Sequence, residues 1–271
     1  MVVVVLSLCV LITTVLLFNA NRVPPKPEKV VTENTIEVFV RMDSFLLLAE
    51  KQLPENLQDS WDKKYQKLPI DSSILFWDKQ KRPDIAALFA QKLAEQQKTG
   101  ESWNFAGQRF YASAAFVKDA TELPLLFACA VRCFENAIAK SPNNTDAKIN
   151  LAICFVEGSS DPMRGITLLR EIERTDSNNV KLQMNFGYFS IRSGQWDRAI
   201  RRFKKVIQLD SNYVEGYLQL AQAQEASGKI EECISSLETF CKKTDDEIMR
   251  SSIREYVDRL KKNKKTGQPD K

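Results

Sequence analysis

An all-α array of helical hairpins is the fold class this sequence predicts, on three observations. The 34 residues 180–213 are followed, at the same spacing, by a second copy of their pattern: Gly187, Gly194, Ala199, Phe203 and Val206 align with Ala221, Gly228, Cys233, Leu237 and Phe240. Small residues recur where the two helices of a hairpin must approach, large apolar residues recur where the space between helices must be filled, and Gly recurs at the turn. Finally, residues 246–261 set Ile248, Ile253, Val257 and Leu260 near helical spacing among charged neighbours, as a helix closing such an array requires. Hairpin arrays bury a core only by stacking, so about three units and capped ends are needed.

The elements are taken in order from the N-terminus. Residues 1–18, MVVVVLSLCVLITTVLLF, hold no charge and are just long enough to span a bilayer, and Asn19, Asn21 and Arg22 mark its edge. Residues 1–19 are therefore expected to be a single transmembrane anchor. A cleaved signal peptide fits less well, because no Lys or Arg precedes the apolar run and the bulk of Phe18 spoils a cut after Ala20. A lipoprotein cut before Cys9 leaves too short an apolar run. Residues 20–32, with Pro24, Pro25 and Pro27, read as a stiff linker. Arg22, Lys26 and Lys29 on this side favour a cytoplasmic location for the soluble part, with the periplasm or another compartment left open.

Residues 33–100 read as a helical extension. A first helix over 35–53 is stopped by Pro54. A second over 56–67 carries Leu57, Trp61 and Tyr65 on one side. Residues 68–71 break the pattern, and Asp71 or Ser72 is placed to cap the next helix. Pro83 suits the first turn of a helix over 84–98. The Trp and Phe residues here read as core, and residues 71–98 are a candidate for a degenerate hairpin unit. The array proper is expected over 101–246 in about four units, then a capping helix over 247–262. The basic tail 263–271 has no apolar face and is expected to be disordered.

The cleanest unit, VKLQMNFGYFSIRSGQWDRAIRRFKKVIQLDSNY, resembles the tetratricopeptide repeat (TPR) family. Gly187 stands at the family's eighth place, Ala199 at the small twentieth, and Asp210-Ser211-Asn212 where the family often has Asp-Pro-Asn. Residues 145–179 fit with Ala152, Gly165, Leu169 and Ile172, and residues 214–247 with Gly216, Ala221, Gly228 and Cys233. The first unit has Trp103, Gly107 and Phe110 in one helix and Ala130, Phe134 and Ala137 in the other, with about 11 inserted residues from Tyr111 to about Thr121 between them. The resemblance implies a TPR-type helical-hairpin solenoid whose first helices line a concave protein-binding groove. Carried over place by place, that groove comprises Glu101, Asn104 and Gln108 in the first unit and Asp146, Ile149, Ile153 and Val156 in the second. The third unit contributes Lys181, Met184, Tyr188 and Arg192, and the fourth Glu215, Leu218, Gln222 and Glu225. Chaperone-type members of the family grip a terminal carboxylate with Lys and Asn. Ile149 with Ile153, and Met184 with Tyr188, occupy those places here, so that clamp is absent and a segment with apolar anchors is the implied ligand.

Composition narrows the remaining classes. The chain has 271 residues and a net charge of +4, much of it from its C-terminal end, and no arginine-rich stripe with interleaved aromatics, so nucleic acid is not an expected partner. It has no His, which removes the usual general base and the commonest transition-metal ligand. Cys9, Cys129, Cys133, Cys154, Cys233 and Cys241 form no Cys-x-x-Cys pair and read as small core residues, in keeping with a reducing compartment. Asn143-Asn144-Thr145 matches a glycosylation acceptor but also stands at an inter-repeat turn, the stronger reading. No phosphate loop or nucleophile motif occurs. The expectation is thus a membrane-anchored scaffold or adaptor with a protein or peptide partner and with no catalysis, cofactor or metal. The alternative is a self-associating envelope-assembly or chaperone accessory protein.

Overall fold

A computed structural model describes residues 44–63, 65–117, 120–158 and 161–266 of the chain. The expected anchor (1–19), the linker (20–32) and the start of the extension (33–43) lie outside the described residues, as do 267–271. Every regular element among the described residues is helical. They fall into two compact units, 44–172 and 173–266, with the division inside one helix.

The first unit opens with the helical residues 44–51 (α1), followed by α2 (Glu55–Lys63) and a 3-10 turn at Tyr65–Lys67. The expected second helix is thus split: Trp61 is on the α-helix and Tyr65 on the 3-10 turn. Pro54 separates α1 from α2, its carbonyl accepting from the amides of Leu57 and Gln58. Trp61 is buried, its ring centroid 5.0 Å from Phe76 and 5.4 Å from Phe89, and its Nε1 donates to Glu50 Oε1 at 2.8 Å. These aromatics are core, each contributing about 2–3 kcal/mol of burial.

Next come α3 (Ile70–Lys79) and α4 (Pro83–Gln97), which pack as a hairpin where a degenerate unit was expected. The cap expectation was wrong: α3 starts two residues earlier than a cap at Asp71 allows, Pro69 is the N-cap, and no side chain caps it. Ile70, packed against the core, draws the start forward, and Asp71 instead lies in the first turn, where a carboxylate meets the positive helix end. Pro83 opens α4 as expected, and Lys98 ends it in the left-handed conformation with φ of 55°.

Thr99 caps α5 (Gly100–Ser113), accepting from the Ser102 amide at 3.1 Å. α5 pairs with α6 (Leu123–Lys140). A Cβ on Gly107 would lie 2.6 Å from the Phe134 ring, the closest approach that the small residue permits. The residues between them become 3-10 turns at Ala114–Phe116 and Ala120–Glu122 and an early start of α6, which runs 18 residues. Asn144 caps α7 (Thr145–Gly158), accepting from the Ala147 amide at 2.9 Å, so the sequon is an inter-repeat turn. α8 (Pro162–Thr175) meets α7 at Gly165, whose absent Cβ would stand 2.3 Å from the Ala152 carbonyl oxygen.

The second unit is more regular. α9 (Val180–Arg192) and α10 (Trp196–Leu209) form one hairpin, α11 (Val214–Ala226) and α12 (Ile230–Lys243) the next, and α13 (Glu247–Thr266) packs on α12. Gly194 and Gly228, one period apart, hold the two turns at φ of 69° and 76°, which costs a residue without Cβ almost nothing. Gly187 lets the Phe203 ring approach until a Cβ would be 2.3 Å away. Ala199, Phe203 and Val206 are buried in one cluster, and Ala221, Cys233, Leu237 and Phe240 in another with Ile253, Val257 and Leu260 of α13. Ile248 was expected on that apolar face but is 74 % exposed: it sits in the first turn, short of the face that α12 covers. α13 also runs past residue 262, so the first four residues of the expected tail are helical.

Candidate protein-interaction face

The implied groove positions separate by chemistry. In the first unit Gln108 is exposed and Asn104 half-buried, its Oδ1 accepting from Asn150 Nδ2 at 3.2 Å, which links the first helices α5 and α7. Ile149 and Ile153 are buried at 0 % and 7 % exposure and cannot reach a partner. Met184 is likewise withdrawn, packed with Ala199, Ile200, Phe203 and Leu220 at 2 % exposure. These three are corrections to the expected groove. An apolar side chain beside a hairpin seam gains more by entering the core than by facing water, and the place-by-place carry-over took no account of that.

The surface positions that remain are polar or amphipathic. On α9, Lys181 and Tyr188 are half-buried and Arg192 is exposed; on α11, Leu218 and Gln222 are half-buried. Tyr188 is held from two sides: its ring packs edge-on against Phe203 at 5.9 Å, and its hydroxyl donates to Glu215 on α11. Tyr256 of α13 donates in the same way to Glu225 on α11. Leu218 and Tyr256 both lie on the terminal apolar cluster. Tyr256 was missed in the sequence because it stands on the capping helix, yet it falls two periods after Tyr188, and that spacing was the available signal.

The second helices are tied to one another by charge. Arg202 on α10 pairs with Glu173, Lys204 Nζ lies 3.3 Å from Glu232 on α12, and Lys261 of α13 lies 2.6 Å from Glu238. Lys229 pairs with Asp197 at 2.7 Å. Burial by itself would raise the Glu173 carboxyl, but the hydrogen bond and charge of Arg202, with Gln183 and Lys205, outweigh it and hold Glu173 below the usual carboxylate range. Gln183, fully buried, donates to Glu173 and to the Ser177 carbonyl and accepts from Arg202, so the pair is fixed in one geometry.

Cys129, Cys133, Cys154, Cys233 and Cys241 are free and buried. Burial pushes the Cys233 thiol up to about 12 and those of Cys133 and Cys154 up as well, which suppresses the reactive thiolate. Among the described residues, no group of three or more Cys, Asp or Glu side chains is placed to hold a metal ion.

Successive helical hairpins, left-handed glycines one period apart, and a glycine pressed against the facing aromatic ring define a helical-hairpin repeat protein. Residues 191–228 match the family described as TPR repeat. The fold is similar to that of a tetratricopeptide repeat protein from Parabacteroides merdae, with a TM-score of 0.52 and 11 % identity over 84 % of this chain and 87 % of that one. It is also similar to a thermophilic TPR protein of Thermus thermophilus, with a TM-score of 0.50 and 15 % identity over 69 % and 94 %. At these identities the likeness concerns the fold alone. No curated protein matches the chain. Residues 191–228 thus carry a TPR-repeat match, and they lie within an array of helical hairpins whose fold is similar to that of TPR proteins.

Proposed function

We propose that the chain is a membrane-anchored scaffold or adaptor that holds a protein partner on the first-helix face of its repeats. The observation that carries this reading is Tyr188. It is half-buried, fixed by Phe203 and Glu215, and accompanied on α11 by Leu218 and Gln222. A rigid aromatic in a polar surround gives contact area at little entropic cost, the usual composition of an interface anchor. A helix or extended segment with an apolar side chain to set beside Tyr188 and Leu218 is the ligand such a face suits. The anchor rests on the uncharged residues 1–18; no helix among the described residues is long and apolar enough to cross a membrane. The repeats are proposed to face the cytoplasm, on the basic residues Arg22, Lys26 and Lys29.

The test is crosslinking in intact cells from a photoreactive side chain replacing Gln222. One discrete adduct is expected, lost when Tyr188→Ala and Leu218→Ala are combined. An adduct pattern unchanged by the double substitution means that this face does not hold the partner. Reporters fused after Lys271, one active only in the cytoplasm and one only outside it, decide the compartment.

A further inference from the structure

The outer face of α10 carries charge that packing does not require. Its apolar side, Ala199, Ile200, Phe203 and Val206, is buried. The opposite arc holds Arg198, Arg201, Arg202, Lys204 and Lys205 against the single carboxylate of Asp197. Lys204 and Arg202 are matched by Glu232 and Glu173, and Asp197 is taken by Lys229. Arg198, Arg201 and Lys205 make no ion pair among the described residues; Arg198 reaches only the amide oxygen of Gln195. Arg201 and Lys205 add their fields to Asp197 and Glu173, carboxylates already engaged by other cations. One period later, the places of Arg198, Arg201 and Lys205 on α12 are filled by Glu232, Ser235 and Thr239. The same fold therefore tolerates neutral and acidic residues there, and the cations of α10 are not structural necessities.

We infer that this ridge of α10 is a second docking surface, on the second-helix side of the array, for an acidic helical segment of another protein. Arg198, Arg201 and Lys205 follow one line of the helix at i, i+3 and i+7, rising about 10 Å. Carboxylates at the same intervals on an opposing helix meet all three. Two other polyanions fit less well. The ridge has no exposed aromatic for base stacking, which single-stranded nucleic acid would use. It is one helix wide, its Lys204 edge closed by Glu232 of α12 at 3.3 Å, a strip that matches a single helix rather than an extended anionic bilayer. The surface is independent of the Tyr188 face, so either can fail without the other.

The test uses the full-length chain in nonionic detergent and a fluorescein-labelled alanine-based helical peptide with Glu at i, i+3 and i+7, read by anisotropy. Binding is expected in 50 mM salt and should weaken about tenfold by 300 mM. The combined change Arg198→Gln, Arg201→Gln and Lys205→Gln should weaken binding about tenfold at low salt, while Tyr188→Ala leaves it unchanged. The three side chains have no carboxylate partner to lose, so the helical circular dichroism of the triple variant should match the parent. Equal affinity of the triple variant, or equal binding of a Lys-substituted peptide, overturns the proposal. Vesicles of phosphatidylserine or an oligothymidylate competing as well as the peptide would overturn the assignment to a polypeptide.

Discussion

A single methyl group separates two kinds of glycine in this chain. At Gly187 a Cβ would strike the Phe203 ring at 2.3 Å, in the middle of a hairpin core. At Gly194 a Cβ would meet nothing within 4 Å, and only the positive φ resists it. Gly187→Ala is accordingly expected to destabilise the fold by about 1–3 kcal/mol through overpacking. Gly194→Ala should cost about 1 kcal/mol, the strain of a left-handed alanine. Urea denaturation of the two variants measures the difference, and a Gly194 cost larger than that at Gly187 would reverse the assignment. Both glycines were legible in the sequence as members of a 34-residue pattern, but their different reasons were not, since spacing does not say which atoms stand opposite. Glu173 gives a pH-dependent counterpart. Its carboxyl titrates below its unfolded value, so its contribution is complete above the ordinary carboxylate range and disappears as pH falls through the lowered folded value. Glu173→Gln should cost about 1 kcal/mol at neutral pH. Stability of the variant should also fall less steeply below about pH 4 than that of the parent.

Among the elements, α6 shows how an insertion is absorbed. Between the glycine and its facing phenylalanine lie 27 positions from Gly107 to Phe134, against 16 from Gly187 to Phe203. The surplus is the inserted stretch, and it is taken up by two 3-10 turns and an 18-residue second helix where α10 has 14. The sequence located the insertion because both flanking helices keep their small and aromatic residues in place. It did not show where α3 begins, because the packing of Ile70 overrode the capping preference of Asp71. The terminal helix repeats the lesson: Ile253, Val257 and Leu260 were readable as its buried face, while Ile248 matched the apolar pattern and lies outside the contact. Val257→Ala is expected to lower stability by about 1–3 kcal/mol. Ile248→Ala should change it by less than about 0.5 kcal/mol, and thermal melts of the two variants make the comparison.

For the molecule as a whole, the array was legible and the proposed binding face only partly so. Period and small residues fix which helices pair, because close approach leaves few choices of residue. Of the fifteen groove positions, Ile149, Ile153 and Met184 are buried, and an alignment treats them like their more exposed neighbours. The cysteines make a prediction at this scale. In a Cys9→Ser background the five buried thiols should resist a thiol reagent at pH 8 for as long as the fold persists and react together in denaturant. Prompt labelling of even one would show an opening that the packing does not account for.

The closing helix has one further consequence. It turns Ile253, Val257 and Leu260 to its neighbour and leaves Arg254, Glu255, Asp258 and Arg259 in water. A repeat protein without such an end would offer the next molecule the same apolar seat that each hairpin offers its successor, and copies would string together without limit. The charges of both signs on the outer side of α13 make that seat costly to desolvate. At this end of the array, adding a further hairpin from another molecule would first require stripping water from those charges.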